Sequence, residues 1–290
     1  MKKEIIGHSF QVDLLQKALK EEKDFLPFLF SGPDKLGKKT IALYLSSIYL
    51  NSENLNSHPD FIFLEPKTKS PFSRYIAIDQ IRYLSFRLSL KPILAKKIVV
   101  VIDEAHKMTQ EAQNSFLKTL EEPKVDTLIF LISPDCRLLL PTITSRCQEI
   151  KFYPVCSSIL FKFLQERKIP KEEIEKLIEI SQGRPGRLID YLEGKDRKRE
   201  YYISLLKKIH LISYKEKFEI VEKIVNEGEL EEVLIFWLEY GREILRKRIK
   251  ELKSIQKVKK FLENLEDLFF SLSYYSVNHQ LALENFILKI

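Results

Sequence analysis

Cysteine is scarce in this 290-residue chain: Cys136, Cys147 and Cys156 are the three present. An odd number, 11 and 9 residues apart, fits neither zinc-ligand spacing nor a CxxC pair, so reduced, structural thiols and no zinc are expected. Long apolar runs are also missing. No stretch approaches the roughly 18 residues that a membrane span needs, and the opening MKKEIIGHSF carries no apolar signal core, so a cytoplasmic protein with no membrane partner is expected. Beyond residue 200 proline disappears and glycine is reduced to Gly228 and Gly241. With apolar residues there at helical spacing, such as Ile220 and Ile224 or Phe261, Leu265 and Leu268, the last third is expected to be an all-helical bundle. Repeats and low-complexity segments are absent too.

At 44% apolar and 31% charged residues the composition is that of an ordinary globular protein, and the length favours two or three domains. The net charge of +7 permits a polyanionic partner without requiring one.

The chain is organised around residues 97–123. Ile98 to Ile102 is an apolar, β-branched run too short for a helix, and it ends in Asp103 and Glu104. A buried parallel strand delivering two carboxylates at its C-terminal edge is a Walker B-like arrangement, because ligands of open α/β sheets bind at that edge. A helix should follow, capped by Thr109, with Ala112, Phe116 and Leu120 on one face and Pro123 stopping it.

Upstream, the strand Phe28 to Phe30 runs into SGPDKLGKKT and then an apolar stretch, Ile41 to Leu50, expected to be helical. Strand, glycine-containing loop, lysine and helix is the order of a phosphate-binding loop, in which backbone N–H groups and a helix N-terminus converge on an anion. Gly32, Gly37 and Lys38 fit G-x-x-x-x-G-K-[ST]; the last position does not, because Lys39 stands where a hydroxyl would ligate magnesium. Thr40 lies about 100° further round the helix and is a poor substitute. Asp34 brings a negative charge into the loop. The expectation is a degenerate site that binds ATP and magnesium weakly or not at all.

Further strand pieces are expected at Phe61 to Leu64, Tyr75 to Ile78, Thr127 to Ile132 and Glu149 to Phe152, with Asp79 capping a helix from Gln80 to about Ser89. Ser133 ends its strand where a hydroxyl could meet a γ-phosphate. Four or five parallel strands alternating with helices make an α/β nucleotide-binding sheet. Short helices follow from Ser157 to Leu192, and Gly194 to Arg199 reads as a charged connection. These shifts divide the chain into residues 1–154, 155–195 and 196–290.

IDEAHKM, AQNSFLKTLEEP, LLLPTITSRCQEIKF, GRPGRLI and NHQLALENFIL, in this order, resemble the AAA+ subunits of bacterial DNA polymerase III sliding-clamp loaders. HPDFIFLEP and IDQIR narrow the resemblance to the delta-prime type, and it covers nearly the whole chain. It implies an AAA+ P-loop domain, a small helical lid and a helical collar. It also implies assembly with gamma/tau and delta subunits, and action on a sliding clamp and primer-template DNA through the complex. By resemblance, Arg146 of Ser-Arg-Cys is an arginine finger acting in trans, and Arg187 is a sensor arginine. Relatives of this type are regarded as non-hydrolysing, in agreement with Lys39. Two departures stand out: the four-cysteine zinc module is missing, and Lys35 occupies the position of a customary loop glycine. The alternatives are a hydrolysing motor subunit of the same machine, which Asp103, Glu104 and Lys38 would allow, or a stand-alone nucleic-acid-binding AAA+ module.

Overall fold

The computed structural model describes residues 5–20, 27–70, 73–121, 126–194, 196–209, 211–251, 254–274 and 277–289. Two compact units divide the chain: residues 1–67 with 75–189, and residues 190–290 with the segment 68–74. The short helices expected as a lid thus group with the sheet.

In the first unit the strands are β1 (Phe28–Ser31), β2 (Phe61–Leu64), β5 (Ile98–Ile102), β6 (Thr127–Ser133) and β7 (Gln148–Lys151); β3 (Lys67–Ser70) and β4 (Ser73–Tyr75) form a two-stranded ribbon that falls mostly in the segment 68–74 of the second unit. The five-stranded sheet is parallel throughout, in the order β2-β5-β6-β1-β7, with Phe28 opposite Phe130 and Ile62 opposite Val100. Both faces are covered, which is why β1 and β5 can be apolar without alternation. Along β5, Val99 and Val101 pack on one face with Phe28, Phe30 and Ile41, whereas Val100 and Ile102 pack on the other with Leu84 and Phe116.

The covering helices are α1 (Ser9–Lys20), α2 (Lys38–Tyr49), α3 (Ile78–Arg87), α4 (Gln110–Glu121) and the short α5 (Pro141–Thr144). The Thr109 hydroxyl caps α4, accepting from Ala112 N–H at 3.2 Å, and Ala112, Phe116 and Leu120 are buried as expected. The expected stop at Pro123 lies outside the described residues.

One expectation fails between Tyr75 and Asp79. Ile76 makes only an isolated parallel bridge to Met108, and α3 has already begun at Ile78. Asp79 therefore lies in the first turn and not at the cap; Gln80 Oε1 accepts the Ala77 N–H at 3.2 Å, while Gln80 Nε2 donates to Glu65 O at 3.1 Å. Tying both ends of one buried amide starts the helix two residues early.

Helices α6 (Ser157–Glu166) and α7 (Lys171–Ser181) and most of α8 (Pro185–Leu192), up to Ile189, complete this unit. The second unit holds α9 (Asp196–Lys208), α10 (Tyr214–Asn226), α11 (Leu230–Lys250), α12 (Gln256–Tyr274) and α13 (His279–Lys289), so Asp196 to Arg199 is helix and not a connection. Their core centres on Trp237, fully buried, with its indole N–H donating to Tyr202 O at 2.9 Å. No helix among the described residues is long and apolar enough to cross a membrane.

Candidate functional site

The phosphate-loop shape is present at the C-terminal edge of β1. Gly32 has φ 137°, and a Cβ there would lie 2.2 Å from Phe152 O, so only glycine fits. Gly37, at φ 92°, turns the chain into α2. Lys35 adopts φ 65°, the left-handed conformation that glycine would take without penalty. The loop shape thus survives the loss of its customary glycine at a conformational cost.

The seats that a phosphate and a metal would use are filled by the chain itself. Lys38 is buried, and its ammonium donates to the carbonyls of Gly32 and, at 2.8 Å, Pro33. Burial pushes its pKa down to about 8, against the attraction of Asp34 and Asp103 and with the repulsion of Arg184. Lys39 Nζ lies 2.9 Å from Asp103 Oδ2 and 3.5 Å from Glu65 Oε2, over the ring of Phe63 at 4.6 Å. Burial opposes its charge, but the hydrogen bonds and charges of Asp103 and Glu65 prevail and raise its pKa. A cation thus sits on the carboxylate that would hold magnesium, and the residues present do not fit the metal.

Glu104, at φ 47°, is 3.3 Å from Lys107 Nζ. Ser133 is fully buried and turned onto its own backbone, donating to Asp135 O at 2.7 Å. Above the loop, Gly186 N–H donates to Lys35 O at 2.8 Å, and an added Cβ on Gly186 would lie 2.9 Å from that oxygen. Helix α8, which carries Arg187, is therefore seated directly on the loop. The cavity left between Ile6, Leu36, Thr40, Pro185, Gly186 and Ile189 is about 60 Å³. Small-molecule pockets are roughly 300–1,000 Å³. Gly32, Gly37, Lys38, Lys39, Thr40, Asp103 and α8 are thus brought together, whereas Arg146 lies at the end of α5.

There the Arg146 guanidinium pairs with Glu121 Oε1 at 2.6 Å and donates to Thr142 O at 2.9 Å. Cys147 anchors the same turn: it packs against the sheet core, and burial pushes its thiol up to about 12. Sequence reasoning missed Gln113, Glu121 and Asp60. The first two lie in the AQNSFLKTLEEP box, but as single polar residues on a helix they give no signal of their long-range partners. Asp60, of HPD, is buried and accepts three backbone N–H groups, from Ile93, Leu94 and Ala95, each at 2.7 Å. Among the described residues no three His, Cys, Asp or Glu side chains gather as a metal site.

Residues 7–156, just over half of the chain, match the family described as DNA polymerase III, delta subunit. The DNA polymerase III subunit delta' of Bacillus subtilis is 32% identical over an alignment of 157 residues that covers 49% of this chain and 46% of that protein. The gamma/tau subunit of Mycoplasma genitalium is 26% identical over 256 residues, covering 79% of this chain and 42% of its own length. The chain thus spans about half the length of the curated relatives it matches. Among solved structures, a gamma subunit-related protein of DNA polymerase III from Thermotoga maritima superposes with a TM-score of 0.59 at 21% identity, over 96% of this chain and 98% of that one, and shares the fold. On the match of residues 7–156, this chain belongs to the DNA polymerase III delta-subunit family, with gamma/tau and delta-prime subunits as its relatives.

Proposed function

We propose that the chain is a non-hydrolysing, delta-prime-type subunit of the DNA polymerase III sliding-clamp loader, working in the cytoplasm. It assembles with gamma/tau and delta subunits and acts on the sliding clamp and primer-template DNA through the complex. The observation that carries the reading is the 2.9 Å pair between Lys39 Nζ and Asp103 Oδ2. Phosphoryl transfer needs a metal to neutralise the β- and γ-oxygens, and an ammonium held on Asp103 competes for the carboxylate that the metal would use. The purified chain is expected to show no magnesium-dependent ATPase above background. Turnover that Glu104→Gln abolishes would overturn this. Lys39→Thr alone should restore little, because Asp34 and the left-handed Lys35 remain.

Arg146 is the group this subunit would contribute in trans to ATP bound by a neighbour. A guanidinium is always charged and presents a planar fork of donors suited to a γ-phosphate. Arg146→Ala is expected to leave assembly intact while lowering ATP turnover of the reconstituted loader about 10-fold or more at one of its sites. Arg146→Lys should rescue little. The helices α9 to α13 supply the collar in this reading, and a chain lacking residues 196–290 is expected to stay out of the complex.

A further inference from the structure

Helix α4 braces the Arg146 turn at two points, one on the entry to α5 and one on the Arg146 side chain. Near its start Gln113, which is buried, accepts the Leu140 N–H at 2.9 Å and donates to Met108 O at 3.2 Å, fixing the entry into α5. At its last residue Glu121 takes the Arg146 guanidinium at 2.6 Å, while another nitrogen of that group donates to Thr142 O at 2.9 Å. Two nitrogens of the fork are thereby tethered to two elements, and the remaining N–H donors are left for an outside acceptor. Both side chains are partly exposed, so the pair contributes little to stability. Its effect is to fix where the fork points.

From this geometry we infer that Glu121 is a positioning residue for Arg146, holding the guanidinium in its working orientation before a neighbour's nucleotide arrives. This rests on the reading of Arg146 as a trans finger. A transferring phosphoryl group needs its donors placed within about 0.5 Å, and a long arginine side chain without a second tether spreads over many rotamers. Glu121 does not touch nucleotide in this arrangement, so its removal acts on kcat through Arg146 and leaves KM for ATP unchanged.

The test is steady-state ATP hydrolysis by the reconstituted loader carrying wild-type chain, Glu121→Gln, Glu121→Asp, Arg146→Ala or the Gln/Ala double variant, each checked for unchanged thermal unfolding. The expected result is a kcat lowered about 3- to 10-fold by Glu121→Gln, at constant KM. Glu121→Asp, which keeps the carboxylate, should lose less, and the double variant should match Arg146→Ala alone. If Arg146→Ala has no effect, the finger reading itself fails. If Arg146→Ala slows turnover but Glu121→Gln leaves it unchanged or faster, the finger stands and the positioning role is overturned. A further loss in the double variant would overturn it as well, because Glu121 would then act independently of Arg146.

Discussion

Lys38 and Lys39 are adjacent cations with opposite electrostatic fates. Lys39 gains an anionic partner on folding, so its charge adds stability that is present below its ordinary pKa of 10.5 and is lost as pH rises through the raised folded value. Lys38 is buried among carbonyls with its pKa down at about 8. Below pH 8 folding therefore bears the cost of burying a charged ammonium; between about 8 and 10.5 the folded chain releases the proton first, and stability rises with pH. The stability of wild type minus that of Lys38→Met should accordingly increase across this window in denaturant titrations. A flat difference would mean that Lys38 is not perturbed. The sequence made Lys39 unfit for magnesium; that it reaches Asp103, 64 positions along, depends on β5 and α2 meeting at one sheet edge.

At the scale of elements, the segment after α3 is set by a residue outside it. Asp60, just before β2, holds the backbone of residues 93–95 by three short bonds, and Arg87 Nη2 donates to Pro59 O at 2.7 Å. Ile93 and Leu94 are thereby held on the surface in a fixed conformation, 68% and 73% exposed. Burial alone would raise the Asp60 pKa, but the three N–H bonds outweigh it and bring it below 3.8. The stabilisation is thus present above pH 3.8 and lost as pH falls through the folded value. Asp60→Ala should cost roughly 2–4 kcal/mol by chemical denaturation, with the gap to wild type closing on acidification. A loss below about 1 kcal/mol would mean that water replaces the carboxylate at those donors. The HPD string marks the family, but nothing in it says that its acid closes a loop more than 30 residues away.

For the whole molecule, each unit has its own core, and the single tryptophan belongs to the helical one. The Val233 to Leu238 run suggests more apolar surface than a helix pair can bury; five helices absorb most of it, with Val233, Leu234 and Trp237 fully enclosed and Ile235 still 40% exposed. Trp237 fluorescence therefore reports the second unit. Trp237→Ala should destabilise that unit by about 3–5 kcal/mol, because the cavity and the lost bond to Tyr202 O act together. Circular dichroism of the helices against denaturant would check it, and an unchanged midpoint would place the core elsewhere.

The sequence by itself determined the α/β sheet, the loop-and-carboxylate edge, the helical C-terminal region and the misfit at Lys39. Each of these is written in local periodicity or in the chemistry of one position within a motif. Tertiary structure alone decided where the polar side chains end their reach. Lys39 settles on Asp103, Gly186 closes on Lys35, Gln113 ties α4 to α5, and Glu121 holds Arg146. The start of α3 was decided the same way, by a buried Gln80 bonded to Glu65 O. Such pairings depend on which elements become neighbours in space, and a polar side chain has the same local propensity whether its partner lies one turn away or across the sheet.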